Sequence, residues 1–162
     1  MSTPVQVWRN YIDAWNRHDV DAILDSVTPD FIYDERPTTM DRPLQGRPAF
    51  RAYLERTFAA FPDLRIDVTS CDAGSALAVS ESIMRGTNVG RLNGMPATRK
   101  PITARVACVF EVRDDKLAHE RLYWDRANTV RQLGRLAAML AVALKPPVSA
   151  AALVRVVEHR RT

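Results

Sequence analysis

A carboxyl set among large aromatic residues is the feature of this sequence with the most chemical promise. It lies in K-L-A-H-E-R-L-Y-W-D-R-A-N-T-V-R-Q-L-G, residues 116–134. The first half of this run alternates, so that Leu117, His119, Arg121, Tyr123 and Asp125 fall on one face of a strand and Ala118, Glu120, Leu122 and Trp124 on the other. The second half is helical. Asp125 closes the strand beside Tyr123 and Trp124, and burial in such surroundings disfavours the charged form and raises a carboxyl's pKa. A group tuned in this way can give or take a proton near neutral pH. The plainer reading is that Asp125 caps the helix opening at Arg126. Arg121, on the same face, would lower the pKa if it came close, whereas Glu120 faces the other way.

Sites with stricter spacing rules are missing. His18, His119 and His159 are isolated, so no zinc-type cluster is spelled out. Gly86, Gly90 and Gly94 form neither a dinucleotide fingerprint nor a phosphate-binding loop. No G-x-S-x-G elbow is present. What remains for an enzyme is proton transfer without a metal or cofactor. Glu81 alternates with Val79 and Ile83 and is either a second pocket carboxyl or, with Arg85, half of a surface ion pair.

Three helices must position these residues. Thr3-Pro4 caps and opens the first, in which Val5, Trp8, Tyr11, Ile12 and Trp15 recur at helical spacing. Asp19 caps a second, with Ile23, Leu24 and Val27, which Thr28-Pro29-Asp30 stops. Phe31-Ile32-Tyr33 reads as a brief strand and Asp34–Gly46 as a loop. Arg47-Pro48 opens the third helix, whose Phe50, Tyr53, Leu54, Phe58 and Phe61 keep one stripe until Pro62-Asp63.

The period then changes to two. Leu64, Ile66 and Val68 alternate up to a turn at Asp72–Ser75, and Ala76–Thr87 is a long strand. Gly86, Gly90 and Gly94 mark a hairpin, and Ile102–Arg113 places Ile102, Ala104, Val106, Cys108, Phe110 and Val112 on one face. Asp114-Asp115 turns the chain into the Asp125 strand. Helices followed by a strand meander predict an α+β domain with helices over one face of an antiparallel sheet, and such an arrangement holds a pocket for a small apolar ligand.

Composition fits one globular domain. The chain has 162 residues, a net charge of +4 and a 46% hydrophobic share. The arginines are dispersed, which argues against nucleic acid as a partner. The longest apolar run, Leu136–Leu144, is too short to cross a membrane. Cys71 and Cys108 match no metal or redox spacing and read as two buried thiols of a cytoplasmic protein. After Gly134 the helix continues to Leu144, Lys145-Pro146-Pro147 breaks it, and Ser149 caps a last helix.

Two segments carry a resemblance. Y-W-D-R-A-N-T-V-R-Q-L-G resembles the C-terminal signature of the SnoaL-like polyketide cyclases, a family of the nuclear transport factor 2-like superfamily. G-T-N-V-G-R-L-N-G-M-P-A-T-R, residues 86–99, resembles that family's glycine-rich hairpin. The likeness covers roughly Val5 to Leu136. It implies a cone-shaped α+β fold over residues 1–136, in which a strongly curved, mostly antiparallel sheet and three N-terminal helices enclose a pocket. A C-terminal helical extension over 137–162 follows.

The resemblance also implies an activity, namely aldol-type cyclisation or isomerisation of a small polyketide-like or cyclic apolar substrate. In the family one Asp serves as general acid/base, with no metal and no cofactor, and Asp125 matches it. Trp15, Tyr33 and Tyr53 fall on elements that wall the pocket, and with Glu81, Asn88 and Tyr123 they are the candidate substrate-binding residues. The family's hairpin often reads G-x-H-x-G. Here Asn88 stands in place of that histidine and can hydrogen-bond but not titrate, or it is simply a hairpin residue suited to left-handed backbone. Cys108 lies where the cyclases often carry another histidine. Relatives self-associate, which implies a homodimer or homotetramer. Two alternatives share the fold. One is a limonene-type epoxide hydrolase, which needs an Asp-Arg-Asp set for which Glu81 and Arg85 are the nearest candidates; the other is a non-catalytic binding or assembly module.

Overall fold

The structure, a computed structural model, describes residues 2–36, 42–74, 77–92 and 96–134. The helices expected after Gly134, and with them the extension over 137–162, lie outside the described residues.

Helix α1 (Pro4–Asn16) starts as its sequence predicts, with Thr3 Oγ1 accepting from the Gln6 amide and Pro4 in the first turn. Its buried stripe is Val7, Trp8, Tyr11, Ile12 and Trp15. The helix is pinned at its end by Asn16, whose side-chain amide bonds both backbone groups of Ile66, and by His18 Nε2, which donates to Leu64 O. Asp19 caps α2 (Val20–Asp25) through the Ala22 amide.

Strand β1 (Val27–Arg36) is longer than the sequence suggested at both ends. Thr28-Pro29-Asp30, expected to stop a helix, belongs to the strand. The register against the neighbouring strand shifts between Val27 and Ile32, so the missing amide of Pro29 is spared from the ladder. Asp34, Glu35 and Arg36, expected in a loop, continue the strand, and β2 (Leu44–Gln45) pairs back onto it.

Helix α3 (Gly46–Ala60) has no side-chain cap. It is tied instead by the Arg47 guanidinium, which donates to Val27 O. Strands β3 (Arg65–Ala73), β4 (Ala78–Thr87), β5 (Pro101–Arg113) and β6 (Lys116–Trp124) follow, then α4 (Arg126–Gln132).

The sheet order is β2-β1-β6-β5-β4-β3. All pairs are antiparallel except β1 with β6, so the sheet is mixed and open. Register shifts in β1, in β3 between Val68 and Ser70, and against β6 between Glu111 and Val112 bend it. The last leaves Ala118 unpaired, which is why Leu117 is buried on the same side as Glu120 and Leu122 despite the parity of its number. Ile102, Ala104, Val106, Cys108 and Phe110 of β5 are all buried, as alternation predicts. Trp8 stacks on Phe110, with ring centroids 4.4 Å apart, and locks α1 onto that face.

The β4–β5 connection packs on the end of α3, with the amides of Val89 and Gly90 both reaching Ala60 O. A side chain at Gly90 would place its Cβ 2.1 Å from Ala59 O, so only glycine fits there. Gly94, the third of the hairpin glycines, lies outside the described residues. This is an α+β fold as the sequence predicts, with one parallel pair, β1 with β6, in a sheet that is otherwise antiparallel.

Candidate active site

Between α1, α3 and α4 on one side and the inner sheet face on the other lies a cavity of about 510 Å³. Its walls are mostly apolar: Trp8, Ile12 and Trp15 from α1, Phe61 and Leu64 between α3 and β3, Ile66 from β3, Met84, Ile102 and Val106 from the middle strands, Val130 from α4 and Leu133 at its end. Such a lining favours a largely hydrocarbon ligand, and the few polar groups among it then decide orientation and chemistry.

Two of those polar groups are carboxyls. Glu120, on β6, is buried and lines the cavity between Leu122 and Tyr11. Tyr11 Oη donates to its Oε2 at 2.8 Å, and Cys108 Sγ donates to its Oε1 at 3.5 Å. Neither donor is charged. Burial therefore dominates and pushes the carboxyl up to about 7, the two hydrogen bonds only partly opposing it. The same burial, with Glu120 beside it, holds the Cys108 thiol and the Tyr11 phenol above their ordinary values, so both are neutral donors.

Glu35 is the second. It is half-buried on β1, two residues beyond Tyr33 on the same face, and it too lines the cavity. Trp124 Nε1 donates to its Oε1 at 3.1 Å and Tyr53 Oη to its Oε2 at 3.4 Å, while Tyr33 and Tyr53 share a hydroxyl–hydroxyl bond of 3.1 Å. Burial raises the Glu35 pKa, and Trp124, the nearby Arg126 guanidinium and Tyr53 counteract it. Ser82 Oγ and Trp8 Nε1 are also buried in the cavity wall, with no partner among the described residues. No three His, Cys, Asp or Glu side chains are grouped to hold a metal ion among the described residues.

The residues singled out in the sequence divide in two. Trp15, Tyr33 and Tyr53 line the cavity. Asp125, Tyr123, Glu81 and Asn88 do not. Asp125 is exposed, and its carboxylate accepts from the Asn128 amide at 2.9 Å as the cap of α4, the plainer of its two readings. Tyr123 is 44% exposed on the outer side of β6. Glu81 is exposed on the outer side of β4, where it meets Ser70, and Arg85 beside it pairs with Asp67 rather than with Glu81. Asn88 is fully buried but bonds Thr98, Gly90 and Ala60, and so shapes the hairpin rather than the cavity.

Glu120 and Glu35 went unrecognised in the sequence. For Glu120 the signal was available, because its strand face carries Leu122 and Trp124 whereas the opposite face carries His119 and Arg121, and apolar neighbours mark the inner face. For Glu35 it was not, since Pro37 and Pro43 made its stretch read as a loop.

The chain is 24% identical over 138 residues to aklanonic acid methyl ester cyclase AcmA of Streptomyces galilaeus, covering 83% of this chain and 92% of that one. It is 25% identical over 125 residues to nogalonic acid methyl ester cyclase of Streptomyces nogalater, covering 76% and 91%. Among solved structures it resembles wild-type IdmH from Streptomyces antibioticus, with a TM-score of 0.71 at 22% identity over 82% of this chain and 99% of that one. The family model for SnoaL-like polyketide cyclase matches residues 5–133, which include every cavity-lining residue named above. The chain therefore belongs to the SnoaL-like polyketide cyclase family.

Proposed function

We propose that this protein closes or isomerises a ring in a small, largely apolar polyketide-like substrate, with Glu120 rather than Asp125 as the proton-transferring group. The observation that carries this reading is a buried carboxyl in the cavity wall, held by two neutral donors and titrating at about 7. At that value both protonation states are populated at neutral pH, as a general acid/base requires. The apolar walls supply the other part of the rate, by holding a flexible chain with its two reacting carbons together. Stacking on Trp15 and Tyr33 suits a planar aromatic substrate.

The test uses the substrates named for the two relatives, aklanonic acid methyl ester and nogalonic acid methyl ester. Ring closure is followed with the wild-type protein and with Glu120→Gln, which keeps the shape and removes titration. The wild type is expected to turn over at least one of them, and E120Q to lose roughly 10²–10⁴-fold in kcat. Full activity in E120Q would rule out this site.

A further inference from the structure

The cavity holds two carboxyls on adjacent strands, and their partners differ. In the parallel β1–β6 register Tyr33 lies beside Glu120, and Glu35 lies beside Leu122. A strand spacing of roughly 4.8 Å and two residues of roughly 3.3 Å rise put the Glu35 and Glu120 Cα atoms about 8 Å apart. A cyclising substrate also presents two reacting centres, the carbon that loses a proton and the carbonyl oxygen that gains one.

Resting on the function proposed above, we infer that the two roles are divided: Glu35 is the base that removes the proton from carbon, and Glu120 is the acid that protonates the carbonyl oxygen. The partners support this direction. Both carboxyls receive one neutral donor on each oxygen, but Glu35 is only half-buried and has Arg126 close by, so its anion is the less disfavoured of the two. Glu120 has no cation among its described partners and lies deeper, where burial favours its neutral form. Burial raises both carboxyls, but only Glu35 has a cation close by to oppose it, and two carboxyls that hold their protons to different degrees can fill opposite roles.

The step balances. Glu35 carboxylate takes the proton from the carbon beside one carbonyl, leaving an enolate. The enolate carbon bonds the carbon of the second carbonyl, and the electron pair of that C=O moves to oxygen, which takes the proton of Glu120. The product leaves as a hydroxy ketone. Glu35 is then protonated and Glu120 ionised, and the proton returns through solvent at the half-buried Glu35 side.

Removal of the proton can be read without ring closure. In D₂O the base alone exchanges the acidic C–H of aklanonic acid methyl ester, observed by mass spectrometry or NMR. We expect Glu35→Gln to slow exchange and ring closure together by about 10²-fold or more, and Glu35→Asp, which keeps a carboxylate, to retain measurable exchange. We expect Glu120→Gln to keep exchange within about tenfold of wild type while ring closure is lost. Circular dichroism confirms that each variant is folded. Exchange that survives E35Q, or that disappears with E120Q, overturns the division of roles; if ring closure still requires Glu120, the proposed function stands. A wild type that neither exchanges nor cyclises this probe removes both.

Discussion

Strand β6 presents two carboxyls in opposite settings. Glu120 points into the cavity and finds one phenol and one thiol. Asp125, just past the strand's end, points to solvent and finds a backbone amide at the start of α4. Water and the partial positive charge of a helix N-terminus stabilise an anion, whereas an apolar wall with two neutral donors stabilises it poorly. Side chains of the same chemistry are thus placed in different surroundings five residues apart, one inside the strand and one just past its end. The Asp lies in the segment that resembles the family signature, but the environment for proton transfer surrounds the Glu.

The largest effect that can break this contrast is catalytic. E120Q should lose roughly 10²–10⁴-fold in kcat, while Asp125→Ser should hold kcat near the wild-type value. The reverse pattern would return the chemistry to the helix cap. The next effect is thermodynamic. The Glu120 carboxyl stands at about 7 in the fold against its ordinary 4.5, so between those values the folded protein holds a proton that the unfolded chain has released. Stability from this group is therefore complete below pH 4.5 and declines as pH rises through about 7, by about 3 kcal/mol in full. Glu35, also raised, contributes in the same direction. Urea midpoints measured on either side of that window should fall with pH in the wild type and fall less in E120Q. A wild-type slope no steeper than that of E120Q would mean that Glu120 is already ionised in the fold.

Most of the architecture was legible in the sequence because it rests on local physics. Thr3-Pro4 and Asp19 are caps that act over three residues, and the alternation of Ile102 to Phe110 forces one face inward whatever surrounds it. What was not legible depends on distant partners. Pro29 within β1 is tolerated only because the register with β6 shifts there, and Glu35 becomes a cavity residue only because β1 runs on to lie parallel to a strand far along the chain. The site was half legible for the same reason. Trp15, Tyr33 and Tyr53 follow from helix and strand faces, and Glu120 could have followed from the apolar face it shares with Leu122 and Trp124, but Glu35 required knowing where β1 runs.

The smallest effect sharpens the other half of the contrast. If Asp125 acts through its cap, removing the acceptor should cost what a cap costs, and replacing it with another acceptor should restore stability regardless of charge. Asp125→Ala should lower stability by about 1 kcal/mol, and Asp125→Ser should recover most of it, since serine also accepts from an amide two or three residues on. Helix α4 supplies Thr129, Val130 and Leu133 to the cavity, so the alanine variant should raise KM more than it lowers kcat, and the serine variant should reverse that too. A carboxyl that moved protons would behave differently, because serine cannot titrate near neutral pH and kcat would stay low however well the helix was capped. Thermal melts and steady-state kinetics on this pair of variants therefore distinguish a residue that holds α4 in place from one that does chemistry.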